Sequence, residues 1–229
     1  MSKYRLRYEK GEAAKYISHL DFVRTIGRTF RRAKLPVQYS QGFNPHMVMT
    51  VALPISVGVT SSGEYMEVAL TCDVDPDELV AAINNAIPDG LTFLAAKKVG
   101  EGDIPLSRVA SAVYRVDVAC NTVPDLDAFL NMPEILVEKK TKKGVAIADI
   151  RPDILSICQT EPKEGVSLCY RMHLSAGNTR NLKPETVLCA MERHLLGFSV
   201  STYRVHRENM YFDKGLEILQ LGEQNEATI

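Results

Sequence analysis

The spacing of apolar and polar residues predicts a sheet-rich first half of the chain, interrupted by two helices. Tyr4–Tyr8 alternates as a strand does, whereas Phe22, Ile26 and Phe30 recur at helical spacing behind a capping residue, Ser18. The order that results is strand, helix, strands, helix, strand. The other predicted elements of this half are the strands Pro36–Tyr39, Met47–Leu53, Glu64–Thr71 and Leu91–Lys98 and the helix Pro76–Ala86.

The second half repeats this order. Once one short extra strand is set aside, the first half has the βαββαβ order of a ferredoxin-like unit. We therefore predict an α+β fold of two tandem ferredoxin-like domains, 1–100 and 111–212, with a linker at 101–110 and an acidic tail at 213–229. The predicted elements here are the strands Ala112–Ala119, Glu134–Glu138, Val145–Ile150, Ile154–Cys158, Val166–Leu174 and Ser199–Arg207 and the helices Asp125–Leu130 and Pro184–Leu195.

Four arginines share the face of the first helix that lies opposite its apolar residues, because they fall at i, i+4, i+7 and i+8. Such a row of like charges indicates a polyanionic partner. The alternative is a solvated face whose arginines pair with acids brought close by folding, such as Glu64 or Glu67. This arginine stripe consists of Arg24, Arg28, Arg31 and Arg32.

Basic charge is concentrated at the start of the chain. Residues 1–46 hold 10 Lys and Arg against 3 Asp and Glu, whereas residues 47–110 hold 3 against 9. The formal net charge of −1 for all 229 residues therefore hides a strong asymmetry. A near-neutral total does not exclude nucleic-acid binding when the basic residues are clustered.

A loop rich in aromatic and polar residues follows the arginine stripe. Its rings offer flat faces on which unpaired bases can stack, and its amides and hydroxyl offer hydrogen bonds. The glycine frees the backbone to turn sharply or to approach a ligand. The alternative is a rigid hairpin in which Phe43 plugs the core. This aromatic loop consists of Tyr39, Ser40, Gln41, Gly42, Phe43, Asn44, Pro45 and His46.

Two histidines are candidates for acid–base chemistry. His19 in the first helical turn and His46 at the end of the aromatic loop could act as the acid and base of a metal-independent ribonuclease. The alternative is that both are ordinary surface residues. The sequence does not show whether the two rings meet.

The five cysteines are widely spaced and form no metal-binding motif, so we expect no intrinsic metal or cofactor. We interpret them as reduced core cysteines of a cytoplasmic protein. No apolar run approaches the roughly 20 residues of a membrane span and no signal peptide is visible, so we expect no membrane association.

The run YISHLDFVRTIGRTFRRAKLPVQYSQGFNPH, continued by ALPISVGVTSSGEYMEVAL, resembles the radical-SAM-linked bacterial domain of unknown function. The resemblance is specific over residues 3–71 and extends to about residue 207. In that family the domain occurs alone or fused behind a cobalamin-binding radical SAM enzyme. The resemblance implies an accessory or substrate-recognition role. The iron–sulfur cluster, S-adenosylmethionine and cobalamin would then belong to a separate partner enzyme, because this chain lacks the cluster-binding cysteines.

Together these features predict an RNA-binding accessory module that works with a radical SAM enzyme on transfer or ribosomal RNA. The arginine stripe and the aromatic loop would bind the RNA. One alternative is an RNA-processing enzyme, either a ribonuclease or an RNA-modifying protein. Another is a protein–protein adaptor that docks an acidic partner on the basic helix. The oligomeric state is not readable from the sequence.

Overall fold

The computed structural model describes residues 2–141, 144–162 and 166–219, and it shows a mixed α+β fold that is mostly sheet, with four α-helices in the described residues. The chain divides into two compact units. One holds the described residues of Met1–Val109 and Tyr211–Ile229, and the other is Ala110–Met210. The elements of the first unit are β1 (Ser2–Lys10), α1 (His19–Arg32), β2 (Met49–Val51), β3 (Thr60–Leu70), α2 (Pro76–Asn84) and β4 (Leu91–Lys98).

The sheet of the first unit has the order β4-β1-β3, and the short β2 also pairs with β3. β1 runs antiparallel to both β3 and β4, and β2 runs antiparallel to β3. Alternate residues of β1 point to one face of the sheet. There they join buried side chains of α1 and α2 in one core that includes Tyr8, Phe22, Ile26, Leu79 and Ile83.

The opposite side of β1 carries a buried ion pair. Arg5 is 4% exposed, and its Nη2 lies 2.7 Å from Oε1 of Glu67 on β3. The same guanidinium donates to the carbonyls of Ile104 and Ile218, at 2.6 and 2.9 Å, and lies over the ring of Phe212. Arg5 thus ties this sheet face to the segment that follows β4 and to residues near the C-terminus.

The second unit contains the sheet order β10-β5-β9-β8 and a separate hairpin formed by β6 and β7. β9 runs antiparallel to both β5 and β8. The helix α4 begins with Pro184 in its first turn, where a missing N–H costs little. The elements are β5 (Val109–Cys120), α3 (Leu126–Leu130), β6 (Leu136–Thr141), β7 (Gly144–Asp149), β8 (Ile154–Thr160), β9 (Leu168–Ser175), α4 (Pro184–His194) and β10 (Val200–Phe212).

The four predicted helices are confirmed, but the predicted strand Pro36–Tyr39 is wrong. Its residues make only isolated bridges, from Val37 to Leu70 and from Tyr39 to Met47. The proline has no N–H to donate to a ladder, so this stretch pairs only at single points. It therefore forms the stem of the aromatic loop.

The interpretation of all five cysteines as core residues is also wrong. All are free thiols, but Cys72, Cys158 and Cys189 are exposed. Cys158 and Cys189 lie on outward-facing positions of β8 and α4, where an apolar local sequence does not ensure burial. Only Cys169 of the described cysteines is fully buried.

Part of the predicted acidic tail is structured. Residues Asp213–Gly215 form a short 3-10 helix, and Ile218 and Leu219 are buried. Residues 220–229 of that segment lie outside the described residues. No helix in the described part of the chain has both the length and the apolar character needed to cross a membrane.

Candidate functional site

The start of α1 is fixed by a reciprocal pair of hydrogen bonds. Ser18 Oγ accepts from the backbone N–H of Asp21 at 3.2 Å and donates to the Asp21 carboxylate at 2.8 Å. The acid of a capping box reaches back to the cap amide, whereas Asp21 accepts from the cap hydroxyl. The acid in the first turn and the arginines in the last turn both complement the helix dipole.

All four side chains of the arginine stripe are exposed. Arg24 lies 3.1 Å from Asp21, and Arg32 donates to the carbonyl of Ala86 at 2.5 Å. Hydrogen bonds from Ser18 and then Arg24 lower the pKa of Asp21, with a further contribution from the charge of Arg28. Among the described residues, no acid forms an ion pair with Arg28 or Arg31.

Glu67 does not neutralise the stripe. It is buried on β3, where its carboxylate contacts Arg5 and also Lys3 at 3.2 Å. Within the described ranges, Asp21 is the acid that pairs with the stripe, and it engages mainly Arg24. The stripe therefore keeps most of its positive charge facing solvent, at an exposed surface where a polyanion can reach it.

The aromatic loop is closed at its base by hydrogen bonds between its first and last polar residues. The backbone N–H of Ser40 donates to the carbonyl of His46 at 2.8 Å, and the N–H of His46 donates to Ser40 Oγ at 3.1 Å. Ser40 Oγ also lies 2.8 Å from Nδ1 of His46. This clasp fixes the two ends of the loop and leaves its tip in solvent.

The tip of the aromatic loop presents an isolated aromatic ring. Phe43 has a relative exposure of 106%, so the alternative in which it plugs the core is wrong. Gly42 has φ +126°, a region that favours glycine, and no other group lies near its Cβ position. Gln41 and Asn44 are exposed beside the ring. Phe43 thus places a large apolar ring in solvent, at the tip of a loop whose base is closed by hydrogen bonds.

The base of the aromatic loop packs against α1 next to the arginine stripe. Met47 is buried, and its Sδ lies 3.7 Å from the position that a Cβ would occupy at Gly27. Gly27 is three residues after Arg24 and four before Arg31, so the three share one side of the helix. The residue that follows the loop therefore packs against α1 between the helical positions of Arg24 and Arg31, a contact that the sequence could not show.

The two candidate histidines have different surroundings. His46 belongs to the clasp with Ser40, whereas His19 is exposed at the start of α1. No hydrogen bond in the described part of the chain joins the two rings, and a catalytic role for either stays a prediction. The side chains that line the small pocket at His19 are Tyr8, Lys10, Ile17, Ser18, Phe22, Val51, Pro54 and Ile55.

Three exposed apolar residues near the start of α1 were missed by the sequence reasoning. Tyr16, Leu20 and Val57 are 71%, 65% and 57% exposed. One signal was available: Leu20 stands four residues before Arg24, so it lies in the row of the stripe rather than on the apolar face. Val57 lies in a loop, where no periodicity reports which way a side chain points.

The described residues hold no cluster of three or more His, Cys, Asp or Glu side chains that could bind a metal ion. The chemistry on this surface is therefore that of exposed guanidinium groups, aromatic faces and amide hydrogen-bonding groups. These groups suit the recognition of a charged, partly planar ligand.

The model of a protein family described as "Uncharacterized protein conserved in bacteria", DUF2344, matches residues 3–184. The matched region includes α1, the arginine stripe and the aromatic loop. None of the curated proteins matches the chain.

Proposed function

Because the chain belongs to the DUF2344 family, whose description states no activity, we propose a function from the site itself: an RNA-binding accessory module. It presents transfer or ribosomal RNA to a separate radical SAM enzyme. The observation that carries this proposal is the fully exposed ring of Phe43 on a loop whose base is closed by hydrogen bonds and is followed by Met47, which packs against α1 at Gly27.

The two parts of this surface match the two parts of an unpaired nucleotide. Guanidinium groups bind phosphate oxygens through paired hydrogen bonds and stay charged at all physiological pH values. An exposed aromatic ring offers a stacking face for any base. Along the helix, Arg24 and Arg28 are separated by about 6 Å at 1.5 Å per residue, so a strand that follows α1 can meet both.

Each unit of the proposed module is ferredoxin-like. The strand order β4-β1-β3-β2 in the first unit and β10-β5-β9-β8 in the second support this assignment, as do the antiparallel pairings of β1 with β3 and β4, of β2 with β3, and of β9 with β5 and β8. In the first unit, Arg5 holds Phe212 and Ile218 against the sheet face that lies opposite α1. This favours the surface of α1 and the aromatic loop as the RNA-binding side.

The proposed partner enzyme supplies the chemistry. The resemblance of residues 3–71 to the radical-SAM-linked domain supports this partner, and the iron–sulfur cluster, S-adenosylmethionine and cobalamin would reside on it. The free thiols at all five cysteine positions support a reducing, cytoplasmic location.

The proposal is tested by titrating a fluorescent transfer RNA with wild-type protein and with the triple variant Arg24→Gln, Arg28→Gln, Arg31→Gln at several salt concentrations. We expect the slope of log K against log salt to lessen by about 0.7–0.9 for each lost phosphate contact. The control variant replaces three exposed basic residues elsewhere by Gln and therefore changes the net charge by the same amount. These residues are Arg108, Lys183 and Arg204. An unchanged slope in the stripe variant, or an equal change in the control, would contradict RNA binding at this surface.

A second candidate function, a protein adaptor, is favoured by the exposed Leu20 in the row of the arginine stripe. Arginine is enriched at the cores of protein interfaces, and an exposed leucine in the same row adds apolar area that a partner protein can bury. The same titration separates the two functions, because an adaptor would bind transfer RNA only through charge, with a Kd no tighter than about 10⁻⁶ M at physiological salt.

A further inference from the structure

Tyr16 is an exposed aromatic residue of the first unit that lies outside the aromatic loop. It precedes α1, and 71% of its surface is exposed. The ammonium of Lys15 lies 5.1 Å from the ring centroid, and the same ammonium pairs with Glu12 at 2.6 Å. The ring is therefore held in solvent beside a cation, not folded into the core.

The backbone around Tyr16 is anchored. The N–H of Gly58 donates to the carbonyl of Lys15 at 2.8 Å, and a Cβ at Gly58 would lie 4.0 Å from Cε1 of Tyr16. The carbonyls of Lys15 and Ile17, on either side of Tyr16, both accept hydrogen bonds from the buried ammonium of Lys10 at 3.2 Å. An aromatic ring on a fixed backbone loses little conformational freedom when a ligand stacks on it.

Tyr16 and the aromatic loop mark two positions along the same helix. Tyr16 lies just before the Ser18 cap, whereas Met47, at the base of the loop, packs at Gly27. The helical rise places Gly27 about 12 Å along the axis from His19, the first residue of α1. The exposed Arg24 lies between these two positions.

We propose that Tyr16 is a base-stacking residue in addition to Phe43, so that a single RNA strand runs along α1 from Tyr16 past Arg24 to Phe43. This inference rests on the proposed RNA-binding function. It adds the path of the bound RNA strand along α1 and the approximate length of that strand. The ligand class is an unpaired stretch of several nucleotides, because two separate rings with arginine between them require intervening phosphates. A perfect duplex offers no free base faces to either ring.

The test measures the binding of unpaired polyadenosine oligonucleotides of about 12 and about 2 nucleotides, one within and one below the usual site sizes of single-strand binders. Tyr16→Ala should weaken binding of the longer oligonucleotide by about 5- to 150-fold, the range for one lost base stack. The slope against salt should not change, because the tyrosine carries no charge. Tyr16→Phe should bind as the wild type does.

The shorter oligonucleotide should lose much less affinity in Tyr16→Ala than the longer one does, since it cannot span both rings. Tyr203→Ala removes an exposed tyrosine of the second unit and should leave both affinities unchanged. If Tyr16→Ala and wild type bind the longer oligonucleotide equally, the inference is overturned. The proposed function is then still tested separately by the stripe variant. A loss in Tyr16→Ala for transfer RNA but not for any oligonucleotide would also overturn it. Absence of RNA binding by the wild type would instead overturn the proposed function.

Discussion

The exposure of Phe43 decides between two roles that its sequence context allows. The sequence left stacking and core packing equally open, because an aromatic residue beside glycine occurs in both settings. Its complete exposure excludes core packing. Burying an aromatic ring stabilises a fold by several kcal/mol. Because the ring of Phe43 stays in solvent, it contributes none of this stabilisation.

Replacing Phe43 by alanine should therefore separate binding from stability. We expect the free energy of unfolding to change by no more than about 0.5 kcal/mol, as for surface positions. Affinity for single-stranded RNA should fall by about 1–3 kcal/mol, the range for base–aromatic stacking. Thermal melting and anisotropy titration on the same protein sample measure both quantities.

The matched control is Phe93→Ala, at a ring that is 2% exposed in the core of the same unit. It should cost about 3–5 kcal/mol of stability, because it leaves a cavity. If Phe43→Ala behaves like this control, the loop tip is part of the folding core after all. If it changes neither quantity, the ring has no role in binding.

At the scale of elements, the helix boundaries and apolar faces were predictable, and the contact between α1 and the aromatic loop was not. Periodicity identifies which side of α1 is buried, and Ser18 identifies where the helix starts. Nothing in the sequence pairs Gly27 with Met47, which are twenty residues apart along the chain. That contact depends on the path of the stem between them, and Pro36–Tyr39 was predicted as a strand that it does not form.

The two glycines of this surface should respond oppositely to alanine. Gly27 lies inside α1, where an added methyl group would make only an ordinary contact with Met47 at 3.7 Å. Gly27→Ala should stabilise the protein by about 0.5–1 kcal/mol through better helix propensity and leave RNA affinity unchanged. Gly42 has room for a methyl group but φ +126°, so Gly42→Ala should strain the loop and weaken RNA binding.

Thermal melting and RNA titration of both variants check this pair. A destabilised Gly27→Ala protein would mean that the loop base and α1 are packed more tightly than the 3.7 Å separation indicates. Unchanged binding by Gly42→Ala would show that the loop's turn can be remade without moving the ring, and that its conformation does not determine the affinity.

At the scale of the whole molecule, the sequence shows that basic residues are concentrated at the start of the chain. It does not show which of them are exposed and which are buried. Among the ten basic residues of 1–46, Arg5 and Lys10 are buried. Both lie in β1, and the alternation of a strand does not show whether a charged residue is paired inside the fold. Counting charges in the sequence therefore overestimates how many cations are exposed, and only the folded structure distinguishes Arg5 from Arg24.

Arg5 and Arg24 allow a direct comparison of these two uses of arginine. Arg5→Met leaves Glu67 buried without its closest partner and breaks the bonds to Ile104 and Ile218, so we expect stability to fall by about 3–5 kcal/mol. Arg24→Met makes the same chemical change on an exposed side chain and should alter stability by no more than about 0.5 kcal/mol.

RNA binding should show the reverse order. Arg24→Met should weaken binding and reduce its salt dependence, whereas Arg5→Met should bind normally per folded molecule, because no ligand can reach a side chain that is 4% exposed. Urea unfolding and RNA titration at a temperature where both variants remain folded provide the comparison. Loss of affinity in folded Arg5→Met would mean that the segment held by Arg5 also shapes the RNA surface, so that binding depends on both faces of the first unit.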